Sequence, residues 1–427
     1  MIQPCYSLDA KSLANCVKCG YHIPVLNLSS IQHIPYTMIQ KNKSSETIEL
    51  GREEQQKKLE IKQELAMSPK EVRTPMGVNE TKLQEFIGKV VNEWGAAEGA
   101  LITFVGDRLG LFKAMAGTGE MTSEELAKKT GTHPRIIKEW LAGQAAGGFV
   151  SYNPVNRTYT LPEEQAFALT DENGPAYIAG FYQSIVSLFK DEEKIIEAFR
   201  TGKGLGWGDH HHYLFEGTER FFKPNYVANL TTSWIPALED VEYKLKNEGA
   251  KIADVGCGHG VSTILMAKAY PNTKIIGFDS HKPSIEWARK QAEKEGLQNI
   301  TFEVAKSTDY PGDDYDLVAF FDCFHDMGNP AGVARHVLQT LKKKDGTWML
   351  VEPFANDKVE DNLNPLGRVF YSVSSIVCVP ASLNENGPAL GAQAGEERIA
   401  ETVKSAGFSK FRRATQTPFN LVFEVRP

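Results

Sequence analysis

Three glycines alternate just behind an acid in Lys251-Ile-Ala-Asp-Val-Gly-Cys-Gly-His-Gly260, and packing alone does not require that pattern. Asp254 stands two residues ahead of Gly256, and Gly258 and Gly260 follow. Glycines allow a sharp turn and let the backbone approach a ligand that a Cβ would hold off. A second group of chemically capable residues lies downstream in Asp322-Cys-Phe-His-Asp-Met-Gly-Asn-Pro330. Histidine is the usual side chain for taking a proton from an alcohol or phenol, and a positioned one contributes typically about 10²–10⁴ in rate. His325 therefore reads as a candidate base.

The elements that must position these residues are those of an α/β sheet. Residues 252–255 read as a short buried strand, and 261–270 carry apolar residues at helical spacing. Residues 274–279 form a second strand that ends in Asp279, so the unit is βαβ closing on a carboxylate. Residues 300–304, 316–321 and 348–352 read as the third to fifth parallel strands, with a helix over 330–341. A helix starting near Glu396 and capped by Gly407 leads into a terminal hairpin over 410–414 and 420–425. Ligands of open α/β sheets bind beyond the carboxyl ends of the strands, where the glycine turn and the His325 segment both fall.

Glycine spacing separates two cofactor classes. A dinucleotide site prefers G-x-G-x-x-G, but the glycines here fall at 256, 258 and 260 and position 261 is Val. Asp254 beside the turn would repel a pyrophosphate, whereas it suits a ligand with an ammonium group and no phosphate. S-adenosylmethionine is such a ligand.

On these residues the chain resembles the class I S-adenosylmethionine-dependent methyltransferases, whose first motif is D/E-x-G-x-G-x-G and whose second strand ends in an acid. The resemblance implies that Gly256, Gly258 and Gly260 pass the methionine part of the cofactor, that Asp254 helps hold its amino group, and that Asp279 takes the ribose hydroxyls. The pair His325-Asp326 is similar to the His-Asp pair of the plant caffeate-type and animal hydroxyindole O-methyltransferases, which implies His325 as the catalytic base. By the same likeness Glu352 orients that imidazole, and Glu397, in Gly395-Glu-Glu-Arg398, is a second helper. The family often has an Asp for the adenine amino group. Here the matching segment is Ala305-Lys-Ser-Thr-Asp309, so Ser307 or Asp309 would substitute, and Asp322 joins the expected cofactor-binding set. Met327 and Asn329 replace the family's Trp and acid, so close substrate kinship with the plant enzymes is not implied.

The fold expected is α/β: a Rossmann-like seven-stranded methyltransferase domain preceded by a winged-helix domain and a helical connector. Residues 1–78 read as a disordered or weakly structured arm, 79–164 as the winged helix, 165–248 as the connector and substrate cover, and 249–427 as the cofactor-binding domain. Thr122-Ser-Glu-Glu125 is a capping box, His133-Pro134 opens the next helix, and the β-rich runs 149–152 and 157–161 complete the winged pattern. Its second helix and wing supply only Arg135, Lys138 and Arg157 against Glu139, a thin basic footprint for DNA. In the resembled enzymes this module serves dimerisation, which implies a homodimer here. Apolar residues from Leu83 through Phe112 recur at helical spacing ahead of it, and aromatic residues of the connector, among them Phe222 and Tyr226, are candidates for an apolar pocket.

A net charge of −7 argues against a chain built to bind nucleic acid or an anionic membrane surface. No uninterrupted apolar run reaches bilayer length and no secretory signal is evident, so a cytoplasmic place is expected. Cys16-Val-Lys-Cys19 has metal-ligand spacing, but no second pair completes it, and the adjacent side chains of His210-His-His212 point in different directions, so no metal is expected. A solvated or pocket-edge loop is the reading for that His run. The functional expectation is methyl transfer from S-adenosylmethionine to a hydroxyl of a small molecule. The competing reading is a regulator that binds the same cofactor and uses its winged helix on DNA or protein without catalysis. A nicotinamide oxidoreductase comes third, with Val261 against it.

Overall fold

The computed structural model describes residues 77–427. The arm expected over 1–78, with its Cys16 and Cys19, lies almost wholly outside the described residues. The chain divides into two units, Met1–Trp94 and Gly95–Pro427. Of the first, 80–94 are helical, the start of the helix Glu80–Arg108.

In the second unit, the winged-helix region is held by local signals. Thr122 and Glu125 make the full capping box at the start of Ser123–Thr130, and Gly131 closes that helix in the left-handed conformation. Pro134 opens Pro134–Ala146. The wing is the antiparallel pair β1 (Ser151–Asn153) and β2 (Thr158–Thr160), with Met121 bridging to Tyr159 as a third edge. Leu126, Ile137, Trp140, Leu141 and Tyr159 pack into one core. Arg135 spends its charge on Glu139 at 2.5 Å. Leu101, Val105 and Leu109, expected on a packed helical face, are instead exposed, while Phe104, Leu111 and Phe112 of the same periodic run are buried. The run is apolar around more of the helix than a single core can cover.

A seven-stranded sheet follows. Its strands are β3 (Lys251–Val255), β4 (Lys274–Asp279), β5 (Ile300–Val304), β6 (Leu317–Phe321), β7 (Thr347–Pro353), β8 (Lys410–Gln416) and β9 (Asn420–Arg426). They form seven strands in the order β5-β4-β3-β6-β7-β9-β8. β9 runs antiparallel to both of its neighbours, and the others are parallel. Every residue of β6 and β7 is buried, which is why β6 reads as an unbroken apolar run and β7 does so from Trp348 to Val351: helices cover the two faces. On one face Met266, Ile285, Trp234 and Leu245 pack against Ile252 and Leu317. On the other, Val333, Val337, Ile399 and Val403 pack against Val318 and Leu350. The chain leaves β3 toward β4 on one side and returns on the other to β6, so a crevice opens beyond the carboxyl ends of β3 and β6.

Two connector features bear on that crevice. The helix Tyr213–Asn229 crosses above it. The run Pro365–Asn384 is long and apolar enough by length and composition to cross a membrane, which no uninterrupted apolar stretch of the sequence announced. It is broken by a π turn at Ser374–Cys378, and Val377, Cys378 and Ala381 are buried inside the protein.

Candidate active site

Sequence forces the glycine turn into shape before any ligand enters. Gly256, Gly258 and Gly260 all have positive φ, 75°, 52° and 81°. The amides of Gly256 and Cys257 donate to the Phe278 carbonyl at 2.8 and 3.0 Å, folding the turn against β4. Asp279, the last residue of β4, accepts from Gly258 N through Oδ2 and from His281 N through Oδ1, each at 2.8 Å. A Cβ at Gly260 would meet the Phe302 ring at 2.7 Å and Ala288 Cβ at 2.8 Å, so this glycine is set by helix–strand packing. At Gly258 a Cβ would meet nothing within 4 Å, because that position faces open space. The two glycines serve different ends.

That open space is a cavity of about 260 Å³ walled by the turn, by Asp279, by Ser307 after β5, by Asp322 and Asp326 after β6, and by Ala381 and Glu385. The roof is one face of Tyr213–Asn229, from which Phe215, Thr218, Glu219, Phe222 and Tyr226 all reach the cavity. Glu219 Oε2 lies 2.7 Å from Nδ1 of His259, the residue between Gly258 and Gly260, tying the roof to the floor.

Beyond β6 the chain turns at Asp322, whose φ of 52° is unusual for a non-glycine residue and places strain at the cavity wall. Its carboxyl accepts from Tyr226 OH at 3.2 Å and from Asn420 Nδ2 at 2.7 Å. Burial and then the neighbouring Glu352 push Asp322 up to about 8. Asp326 rises to about 7, again from burial, with Glu352 and Glu385 adding to it against the pull of His325. Burial likewise raises Asp279 against the two amides it accepts.

His325 sits in the short turn Phe324–Asp326 and is 3% exposed. Its Nδ1 donates to Glu352 Oε2 at 2.7 Å, while Glu352 Oε1 accepts from Phe324 N at 3.1 Å. Burial alone would hold the ring down, but the Glu352 carboxylate outweighs it, and the Cys378 thiol, hydrogen-bonded to the ring, adds to that; His325 stands well above its usual value. The ring lies behind the cavity wall rather than in it: the wall at this point is Asp322, Cys323, Asp326 and Met327.

The expected site residues thus divide. Gly256, Gly258, Asp279, Ser307 and Asp322 line the cavity, and Gly260 packs behind it. Asp254 does not reach the cavity: its Oδ2 accepts from Ser262 Oγ and Thr263 Oγ1, each at 2.7 Å, and its Oδ1 has no partner. Burial raises it to about 6, with those two hydroxyls pulling the other way. Asp309 is exposed and outside the cavity because its loop turns outward after Ser307. Glu397 is exposed on the helix Gly395–Ser405, its amide bonded to Asp357, and is not brought to His325. His210, expected at a solvated loop, is buried with Nδ1 3.1 Å from Asp191. Among the described residues no three His, Cys, Asp or Glu converge as for a metal. Glu219 and His259 were not singled out from sequence, and Asp326 was named only as the second member of the His-Asp pair. The signal available was the spacing of 215, 218, 219, 222 and 226, which fits one helical face.

Residues 246–386 match the family described as a methyltransferase domain, and residues 97–171 match a Rv2258c-like winged helix-turn-helix domain. Among curated relatives, a probable (S)-tetrahydroprotoberberine N-methyltransferase of Papaver bracteatum is 32% identical over 103 residues, covering 24% of this chain and 26% of its own. An uncharacterized methyltransferase, YcgJ, of Bacillus subtilis is 31% identical over 123 residues, 28% of this chain and 47% of its own. The chain therefore spans between about a quarter and a half of the length of these relatives. The solved structure of human N-acetylserotonin methyltransferase with S-adenosylmethionine superposes with a TM-score of 0.60 at 16% identity, over 83% of this chain and 99% of that one. A putative O-methyltransferase from Nostoc punctiforme gives 0.59 at 19% identity, over 80% and 98%. The fold is that of these proteins, and the region 246–386 is a methyltransferase domain.

Proposed function

We propose that this chain, built from a winged-helix domain and a methyltransferase domain, is an S-adenosylmethionine-dependent methyltransferase that acts on a hydroxyl of a small molecule. The observation that carries the reading is the pairing of an open position at Gly258 with a carboxylate, Asp279, fixed beside it by two backbone amides. Such a carboxylate can accept from a ribose diol without moving, and the absence of a Cβ at Gly258 leaves room for the thioether chain. Ser307 lines the same cavity and takes over the adenine contact, since Asp309 does not line it. When bound, the cofactor supplies a methyl carbon on a positively charged sulfur, which an acceptor oxygen displaces in line. The human and Nostoc proteins share the fold, and the former was solved with this cofactor; the shared fold supports the cofactor's placement here.

The chain's own part is to place the acceptor and take its proton. His325, in the neutral form it takes above its raised value, is the proposed proton acceptor and Glu352 its orienting partner, supported by the 2.7 Å contact between them at the end of β7. The Cys378 thiol is hydrogen-bonded to the ring, so an acceptor hydroxyl that reaches His325 competes with that thiol, which lies in the run Pro365–Asn384. A second reading of the proton acceptor is favoured by one observation: Asp326, held near 7, already opens to the cavity. Incubation with methyl-labelled cofactor and a library of hydroxylated small molecules tests the activity. Turnover that His325→Gln abolishes and Asp326→Asn spares supports His325; the opposite pattern moves the role to Asp326, and no labelled product with any acceptor counts against the activity itself.

A further inference from the structure

We infer that Glu219 and His259 form the two poles that grip the amino-acid head of the methyl donor, Glu219 its ammonium and His259 its carboxylate. This rests on the reading that the cavity takes S-adenosylmethionine. The head of that molecule is a zwitterion, so its site needs one anion and one cation within a few ångströms of each other. Asp254, the acid the resemblance offers for the ammonium, stands outside the cavity with one oxygen committed to Ser262 and Thr263. Asp279 is committed to Gly258 N and His281 N at the ribose end.

Glu219 meets the requirement. It hangs from the roof helix directly over the glycine turn, lines the cavity, and has its Oε2 2.7 Å from His259 Nδ1. His259 is the one Lys, Arg or His side chain in the cavity wall among the described residues, so a carboxylate entering there has no other cationic side chain to meet. Val261 and Ser262, in the first turn of the helix Val261–Ala269, complete the wall beside it, and the positive end of that helix adds to the attraction. The two poles satisfy each other at 2.7 Å, and a zwitterion laid across them would replace that one contact by two, Glu219 to the ammonium and His259 to the carboxylate. The pair also comes from elements 40 residues apart, so it draws the roof onto the floor where the head would lie.

The distinguishing experiment is calorimetric titration of the full chain with two ligands, S-adenosylhomocysteine and 5′-deoxy-5′-methylthioadenosine, which lacks the amino-acid head. The unaltered protein is expected to bind the first at least about tenfold more tightly, as two charge-assisted contacts should allow. Glu219→Gln and His259→Gln are each expected to weaken S-adenosylhomocysteine about ten- to a hundredfold and to leave the headless ligand within about twofold, which also reports that the variants are folded. Parallel weakening of both ligands, no change in either, or equal affinities in the unaltered protein would each overturn the clamp. Failure of the unaltered protein to bind either ligand would instead overturn the cofactor reading beneath it.

Discussion

Two glycines two residues apart should respond oppositely to the same added methyl group. At Gly260 a Cβ would stand 2.7 Å from the Phe302 ring and 2.8 Å from Ala288 Cβ, with φ at 81°. Overpacking of that kind costs about 1–3 kcal/mol, and an alanine in the left-handed region about 1–2 kcal/mol more. Gly260→Ala should therefore lose about 2–5 kcal/mol and melt roughly 5–15 °C lower. At Gly258 nothing lies within 4 Å of the added carbon, so only the backbone term applies. Gly258→Ala should lose about 1 kcal/mol and about 2–4 °C. Its methyl, however, projects into the space assigned to the donor's thioether chain, and affinity for S-adenosylhomocysteine should fall at least about tenfold. Thermal unfolding without ligand and calorimetry with it separate the two effects. Unchanged affinity in Gly258→Ala would refute the placement of the cofactor against this turn.

Three further outcomes are expected. His325→Gln should slow turnover about a hundredfold or more while leaving S-adenosylhomocysteine affinity intact, measured by single-turnover kinetics and calorimetry; equal turnover removes His325 from the chemistry. The His325–Glu352 pair should also set a pH dependence of stability. The ring's value is raised on folding, so its contribution is complete below its ordinary unfolded value near 6.5 and fades as pH climbs through the raised one. The melting difference between the unaltered protein and Glu352→Gln should accordingly shrink from pH 6 to pH 9, and a difference that grows would contradict the pairing. Finally, burial pushes Asp322 and Asp326 to about 8 and about 7, so both carboxyls hold protons to a large extent near neutrality. A sulfonium cation favours their ionised forms, so S-adenosylmethionine should release more protons at pH 7 than its uncharged-sulfur product, read from binding heats in buffers of different ionisation enthalpy. Equal release by both ligands would argue against a sulfonium beside these acids.

Much of the sheet could be read in advance because its inner strands are buried on both faces, so β4 and β6 appear as short apolar runs with sharp ends, and β6 begins at Leu317, one residue inside the expected start; the edge strand β5 instead alternates, with Ile300 and Phe302 buried and Thr301 and Glu303 exposed. The glycine turn and Asp279 were legible for a related reason: backbone conformation and the strand end fix where they point. Side chains one turn further along were not. Asp254 is in register with the turn, yet hydroxyls at 262 and 263, brought back by the helix, take its carboxylate. Ser307 and Asp309 differ by two residues in a loop, and only the loop's curl decides that one faces the cavity and the other water. His325 and Glu352 were expected as partners only through the family resemblance; a 2.7 Å contact joins them, but the wall between the ring and the cavity depends on how Pro365–Asn384 packs, a register no strand pattern specifies. Glu219 and His259 meet across elements whose relation only the tertiary fold supplies.

Which ligand the glycine turn and Asp279 accept decides between the two cofactor classes. Calorimetric titration of the purified chain, side by side with S-adenosylhomocysteine and with NAD, asks that directly. Saturable one-to-one binding of S-adenosylhomocysteine with no heat from NAD is the expected result, and binding of NAD with none of S-adenosylhomocysteine would contradict it.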